Sequence, residues 1–419
     1  MILERELNEA EQRSAQRVLR NCTALSAFAS CCSSEALQVL IAVSIGIPGY
    51  LVSASGSLLY LSYLVLPLGF LAAARVGAGR SMGGFKFLQG GCCLVIALSC
   101  LMKEGAAAVF LVGVVLLYAS MSCAASMLFP LQKHIATEKT LPAMLARNQI
   151  AASVAWLAAS FAIIWLMTLF SSRTLLPLIF LTGSLVFVLC GFLITGIDEP
   201  VILRRFADHS IVKQARIAWR NPLLRHQIWV GSILNLMLAM LPPVNILMAK
   251  QGFELSDSWI LVLSAVQVIS SIAGSWICKV FTQKYGPRKV MIAAYPLVWA
   301  IPLCWQFASV RFGVAAVFPP FVMAGLLNIL ISTSLSNYFT ITIPNQHQIG
   351  GTFWVFLVTG GLVGLLGILL NPGILAGIEH FCPDAEPFRR FQLHFLIAGA
   401  LFCGGILAPL SRPEKAPKK

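Results

Sequence analysis

The sequence predicts an all-α membrane protein with twelve transmembrane helices in two pseudo-symmetric six-helix bundles. Three observations carry that expectation. The 419-residue chain is 58% hydrophobic and only 11% charged, whereas a soluble domain carries about a quarter charged residues. Apolar runs of about 20 residues recur along it, the length that crosses a hydrocarbon core of about 30 Å. A short charged turn near residue 75 returns near residue 284, half a chain later.

The first residues, MILERELNEAEQRSAQRVLRN, carry both signs of charge and lack the short apolar core of a cleavable signal. Residues 1–22 are therefore read as a cytoplasmic segment leading into the membrane. Apolar runs then delimit spans 1 to 6 at 23–47, 52–74, 82–102, 106–131, 143–170 and 175–196, a first bundle over 23–196. The longest connection, 197–225, reads as a cytoplasmic linker. Within it Ile211, Ala215, Ala218 and Trp219 share one helical face, while Lys213, Arg216 and Arg220 add positive charge. That pattern suits an amphipathic helix lying on an anionic leaflet, with a plain solvated linker helix as the alternative. Asn221-Pro222 offers a cap and a first-turn proline for span 7. Spans 7 to 12 follow at 226–249, 257–281, 288–308, 312–337, 349–371 and 391–410, a second bundle over 226–410, and a basic tail occupies 411–419.

Basic residues near span ends favour the cytoplasmic side. With the N-terminus inside, only Lys103, Arg173, Lys250, Arg311, Arg389 and Arg390 fall on the opposite side; the other 24 of 30 basic residues, Lys86 among them, stay cytoplasmic. Both termini are thus expected inside, with a bacterial inner membrane as the setting and a monomer as the state. The net charge of +14 is spread over many short loops and forms no continuous stripe, which argues against nucleic acid. Most cysteines lie within apolar runs, where they act as small hydrophobes. The adjacent pairs Cys31-Cys32 and Cys92-Cys93 lack zinc-site or redox spacing, so no metal is expected. No nucleotide loop, zinc-protease motif or nucleophile elbow occurs, so no cofactor and no enzymatic activity are expected.

The recurring turn is Arg75-Val76-Gly77 with Arg80 in the first half, and Lys284-Tyr285-Gly286-Pro287-Arg288-Lys289 in the second. In each, a cation precedes Gly by two residues and a second cation follows five after the first. The first cation faces the negative end of its helix dipole, and glycine can take the left-handed backbone that turns the chain sharply. Turns so alike, between spans 2 and 3 and between spans 8 and 9, indicate two six-helix halves related by duplication.

With that layout and these loops, the chain resembles the major facilitator superfamily of secondary transporters. The resemblance implies rocking of two six-helix halves about a central cavity, driven by a solute or ion gradient. It places spans 1, 2, 4, 5, 7, 8, 10 and 11 around that cavity and spans 3, 6, 9 and 12 at the periphery. The sequence departs from the family pattern where Ala74 and Gln283 stand at the acidic position of the loop motif, which in the family helps latch the cytoplasmic helix ends. Span 4 has no intramembrane arginine and span 5 no Gly-Pro-rich antiporter signature, both of which argue against a proton-coupled drug exporter.

A mid-span ion costs about 2.5–3.5 kcal/mol on insertion scales, so polar residues near mid-span mark a cavity or a helix contact. Glu35 is the only acid close to the middle of any span, within SCCSSEALQ. Removed from water, its carboxyl could exchange a proton during transport or pair with a cationic solute, or it could be a structural group bonded to a neighbouring helix. Gln38, Asn235, Gln267 and Asn328 could hydrogen-bond hydroxyls or carboxylates, or join helices. Trp156 and Trp354 are candidates for an aromatic wall. Pro242-Pro243 is expected to break or kink the outer half of span 7, as a gate or beside the site. The expected function is secondary active transport of a small polar organic solute, of sugar or carboxylate type, with protons as a possible second cargo. An exporter of amphipathic or cationic compounds, and a transporter-like lipid mover or sensor, are the alternatives.

Overall fold

Span 1 is not one helix. It runs as Glu9–Cys32, turns at Ser33-Ser34, and resumes as Glu35–Ser44. The structure is a computed structural model that describes residues 2–3, 7–52, 58, 61–136, 141–170, 172–200, 211–342 and 348–402. Lys139, Arg204, Arg205 and the tail at 411–419 lie outside the described residues. Asn8 caps the first helix reciprocally with Glu11: each backbone amide donates to the other's side chain at 2.9 Å, a capping box.

Among the described residues, ten helical stretches, span 1 counted across its turn as Glu9–Ser44, are long and apolar enough to cross a bilayer; they correspond to spans 1 and 3 to 11. Span 2 is shorter, a tight turn at Ser62–Val65 running into Leu66–Val76, and span 12 is described over Pro387–Phe402. Large apolar side chains face outward from these helices: Trp165, Phe192 and Trp276 are 64%, 66% and 69% exposed. Exposed apolar surface on this scale needs lipid against it, and the chain is an integral, multi-pass membrane protein.

The chain divides into two compact units, residues 1–46 with 62–214, and 47–61 with 215–419. In the first unit, span 1 packs on span 5 (Leu141–Leu169) and span 6 (Ser172–Thr195), and span 6 also packs on span 3 (Ala78–Ser99). A two-residue parallel pairing sets β1, Ile2–Leu3, beside β2, Glu199–Pro200. In the second unit the tightest seam joins span 8 (Asp257–Tyr285) to span 10 (Val314–Thr342). Gly325 makes it possible, because a Cβ there would collide with the Gln267 carbonyl.

The two charged turns share one geometry. Gly77 has φ 96° and ψ 162°, and Gly286 has φ 83° and ψ 155°. Each glycine ends one helix and begins the next, so the two loops share a backbone geometry as well as a sequence pattern. The conformation differs from the left-handed helical one expected: φ is positive but ψ is extended, a region open essentially to glycine alone.

Three other expectations change. Lys86 lies within the span 3 helix rather than in the loop before it. The prolines do not break span 7: its helix continues from Pro222 to Leu247 and passes into a wider π-helical turn at Met248–Gly252. The interruption falls in span 1, where no proline or glycine announces it. The linker helix, Ile211–Trp219, lays Ala218 against a cluster with Leu224 and Ile228, packed by Phe339, Trp354, Val355 and Val358.

Gly286 isolates the backbone requirement, because a Cβ there would meet nothing within 4 Å. Gly286→Ala is expected to cost about 1–3 kcal/mol and to lower the unfolding temperature of the detergent-solubilised protein. Gly84→Ala, in open space on a helix, should leave that temperature unchanged or raise it.

Candidate functional site

The break in span 1 builds the polar centre of the first unit. Ser34 adopts an extended backbone, φ −62° and ψ 155°, which interrupts the run of helical hydrogen bonds inside the membrane. Peptide groups freed there need partners, because hydrocarbon supplies none. Gln38 provides one: its side-chain amide donates to the Ser33 carbonyl at 2.8 Å. The Tyr118 hydroxyl, from span 4 (Ala106–Ala125), in turn donates to the Gln38 side-chain oxygen at 3.0 Å. Gln38 is 1% exposed, so this chain of bonds is sealed.

Glu35 is the first residue of the second half-helix. Its carboxyl is close enough to Tyr118 for an electrostatic interaction, yet its Oε1 is enclosed and accepts no hydrogen bond from a described residue. Gln38 thus satisfies the Ser33 carbonyl at the break, and the acid keeps open capacity at Oε1.

In the second unit, Gln267 of span 8 and Asn328 of span 10 line one cavity with Leu234, Met237 and Pro242 of span 7. The cavity is about 20 Å³, room for one or two waters and too little for a sugar. Neither side-chain amide hydrogen-bonds to a described residue, so both keep donors and acceptors for a ligand. Pro242 therefore enters the site as a wall.

Asn235 stands apart from this pair. Its side-chain amide donates to the Thr359 carbonyl at 2.8 Å, within the π-helical stretch Val355–Leu362 of span 11. Trp354, immediately before that stretch, donates its indole N–H to the Ala215 carbonyl of the linker helix at 2.7 Å. Trp156 of span 5 is half-buried. The loop residues Arg75, Arg80 and Lys289 are exposed. Lys284 is exposed too, with its ammonium 5.2 Å from the centre of the Tyr285 ring. Arg288 is half-buried.

Three residues carry no site signal that the sequence alone reveals. Tyr118 sits in a long apolar run with nothing beside it to mark a partner. Lys86 reads as a loop residue because its neighbours are glycine and phenylalanine. It donates to Ser26 Oγ at 2.6 Å and Gln89 Oε1 at 3.0 Å, and its ammonium lies 5.1 Å from the Phe187 ring centre. Two acceptors and an aromatic face occupy its three donors, which lets a cation persist between spans 1, 3 and 6. Glu199, just after span 6, is the third: its Oε2 accepts the Gly79 backbone amide at 2.8 Å, at the first turn of span 3. It is an acid bound at the start of span 3, 120 residues after Gly79 in sequence.

No family model matches the chain, and no curated protein matches it. Solved structures do. The nucleoside transporter NupG, in a mutant form, superposes with a TM-score of 0.71 at 12% identity, covering 94% of this chain and 99% of its own. The xylose transporter XylE from E. coli, in a partially occluded inward open conformation, gives 0.66 at 12% identity over 98% and 100%. FucP, a Major Facilitator Superfamily transporter in the outward conformation, gives 0.56 at 15% identity over 96% and 100%. The chain has the fold of the major facilitator superfamily.

Glu199 lies outside the membrane spans, and burial pushes its carboxyl above the ordinary range, against the pull of the Gly79 and Ala78 amides and the Arg80 charge. A carboxyl whose native value exceeds its unfolded one contributes fully below the unfolded value and loses that contribution as pH rises through the native one. The unfolding temperature is therefore expected to carry a decline above about pH 4 that Glu199→Gln flattens. Identical pH profiles for the two proteins would show that this carboxyl plays no part.

Proposed function

We propose that this protein is a secondary active transporter that moves a small polar organic solute by alternating access, with Glu35 exchanging a proton. One observation carries the reading: Glu35 begins a half-helix inside the membrane, and its enclosed oxygen has no hydrogen-bond partner among the described residues. Interrupted helices at membrane depth are tolerated where they line a site. A carboxyl held there invites a proton or a donor group of the solute.

The amide pair Gln267 and Asn328 supports a solute rich in hydroxyls or carboxylates, since each amide offers two donors and an acceptor. The cavity between them is smaller than such a solute, so binding requires the helices around it to open. Structural neighbours described as transporters of nucleosides and xylose agree with cargo of this size. The Glu35 carboxyl would equally attract a cationic compound, which makes export of cations the second reading. Both termini are proposed to be cytoplasmic, in a bacterial inner membrane, with the monomer as the working unit.

Uptake of labelled sugars, nucleosides, carboxylates and amines into proteoliposomes, with and without an inward proton gradient, tests the proposal. A neutral or anionic polar solute should accumulate when the gradient is present. Glu35→Gln should abolish that accumulation while exchange across equal concentrations continues. Gln267→Ala and Asn328→Ala should each weaken apparent affinity about 3- to 10-fold, the worth of one hydrogen bond. Gradient-driven uptake that survives Glu35→Gln would refute proton coupling through this residue, and accumulation of amines alone would favour the second reading.

A further inference from the structure

The linker helix Ile211–Trp219 has two unlike faces. Ala215 and Ala218 are buried, at 3% and 0% exposure, against the second unit. Lys213, Arg216 and Arg220 are exposed. Flanking those cations stand Ile217 and Trp219, apolar yet 44% and 41% exposed. Cations interleaved with Trp and Ile are the composition of a headgroup-facing surface, where the rings sit at the interface and the charges meet anionic lipid.

Connectivity puts this helix at the right depth. Only Arg220 and Asn221 separate it from Pro222, the first residue of the span 7 helix. Asn221 accepts the Leu223 amide at 3.0 Å and so fixes the joint as an N-cap. The linker helix is thus held within a few residues of the membrane surface.

Its inner face is tied to the membrane-embedded part of the unit. Trp354 donates to the Ala215 carbonyl at 2.7 Å, and its ring lies 4.6 Å from that of Trp219. Trp354 is followed directly by the π-helical stretch Val355–Leu362, a geometry frequent at functional sites. Asn235 of span 7 bonds that stretch at Thr359, and Gly231, one turn away, lets it approach: a Cβ there would come within 3.2 Å of the Thr359 side chain.

We infer that the linker helix docks on the anionic phospholipid surface through Arg216, Arg220 and Trp219, and that Trp354 passes this docking to the π-helical stretch of span 11. Lipid charge then sets how firmly the wide turn is held against span 7. The partner is the bilayer itself, recognised by negative headgroup charge.

Hydrogen–deuterium exchange on the full chain in nanodiscs tests this without a known solute, so its outcome is independent of the transport proposal. One set of discs contains phosphatidylcholine alone; the other contains one third phosphatidylglycerol. Each arginine near an anionic surface strengthens binding about fivefold, so exchange in 211–219 should slow by on the order of twentyfold with phosphatidylglycerol. Residues 354–362 should slow with it. Arg216→Gln/Arg220→Gln should remove both effects, and Arg216→Lys/Arg220→Lys should keep them. Trp354→Phe should retain protection of 211–219 and lose the change at 354–362. Exchange in 211–219 that is indifferent to phosphatidylglycerol overturns the docking. A change at 354–362 that persists in Trp354→Phe overturns the route through the indole.

Discussion

A peptide group inside hydrocarbon must find its partner within the protein, and the interruption of span 1 is where that constraint acts hardest. At Ser33-Ser34 the helix stops, and the Gln38 side chain replaces a bond that the next turn would have made to the Ser33 carbonyl. Tyr118 then satisfies the other end of the same amide. Gln38 and Tyr118 bond to each other at the break, and the Glu35 Oε1 is left enclosed without a hydrogen-bond partner among the described residues. The polar centre of the first unit follows from that division of labour.

The same distinction sorts the amides of the second unit. Asn235 is occupied by the Thr359 carbonyl and serves the contact between spans 7 and 11. The side chains of Gln267 and Asn328 face one cavity and bond to no described residue. They come together because Gly325 lets span 10 press against the Gln267 backbone. A small residue on one helix thus positions a polar residue on another, and the polar groups that remain available are those the packing brings to a shared space.

Much of this is legible in the sequence. Hydropathy alone locates the ten long apolar stretches seen among the described residues, because crossing lipid imposes a length and a composition that few other contexts do. The echo of Arg75-Val76-Gly77 in Lys284-Tyr285-Gly286 is visible in the sequence, and both glycines adopt the same positive-φ backbone. Glu35 stands out because an acid at mid-span is costly. Pairing across the chain is what a linear reading misses. Lys86 looks like a loop cation because Ser26, Gln89 and Phe187, which shelter it, are scattered in sequence. Glu199 takes up the first turn of span 3 from 120 residues away, so a motif read along the chain shows only a gap. The break expected at Pro242-Pro243 lies instead at two serines. Proline removes a donor, yet span 7 stays helical through Pro242 and Pro243, whereas Gln38 and Tyr118 supply bonds at the interruption in span 1.

Glu35, at a break in span 1 with its Oε1 enclosed and without a hydrogen-bond partner among the described residues, is proposed to meet solute and proton during transport. A hydrophobic carbodiimide, which modifies carboxyl groups inside lipid, tests it directly when the labelled peptide is identified by mass spectrometry. Modification at Glu35 that a transported solute slows is the expected result. Labelling that spares Glu35 while reaching other carboxyls, such as Glu199, would contradict it.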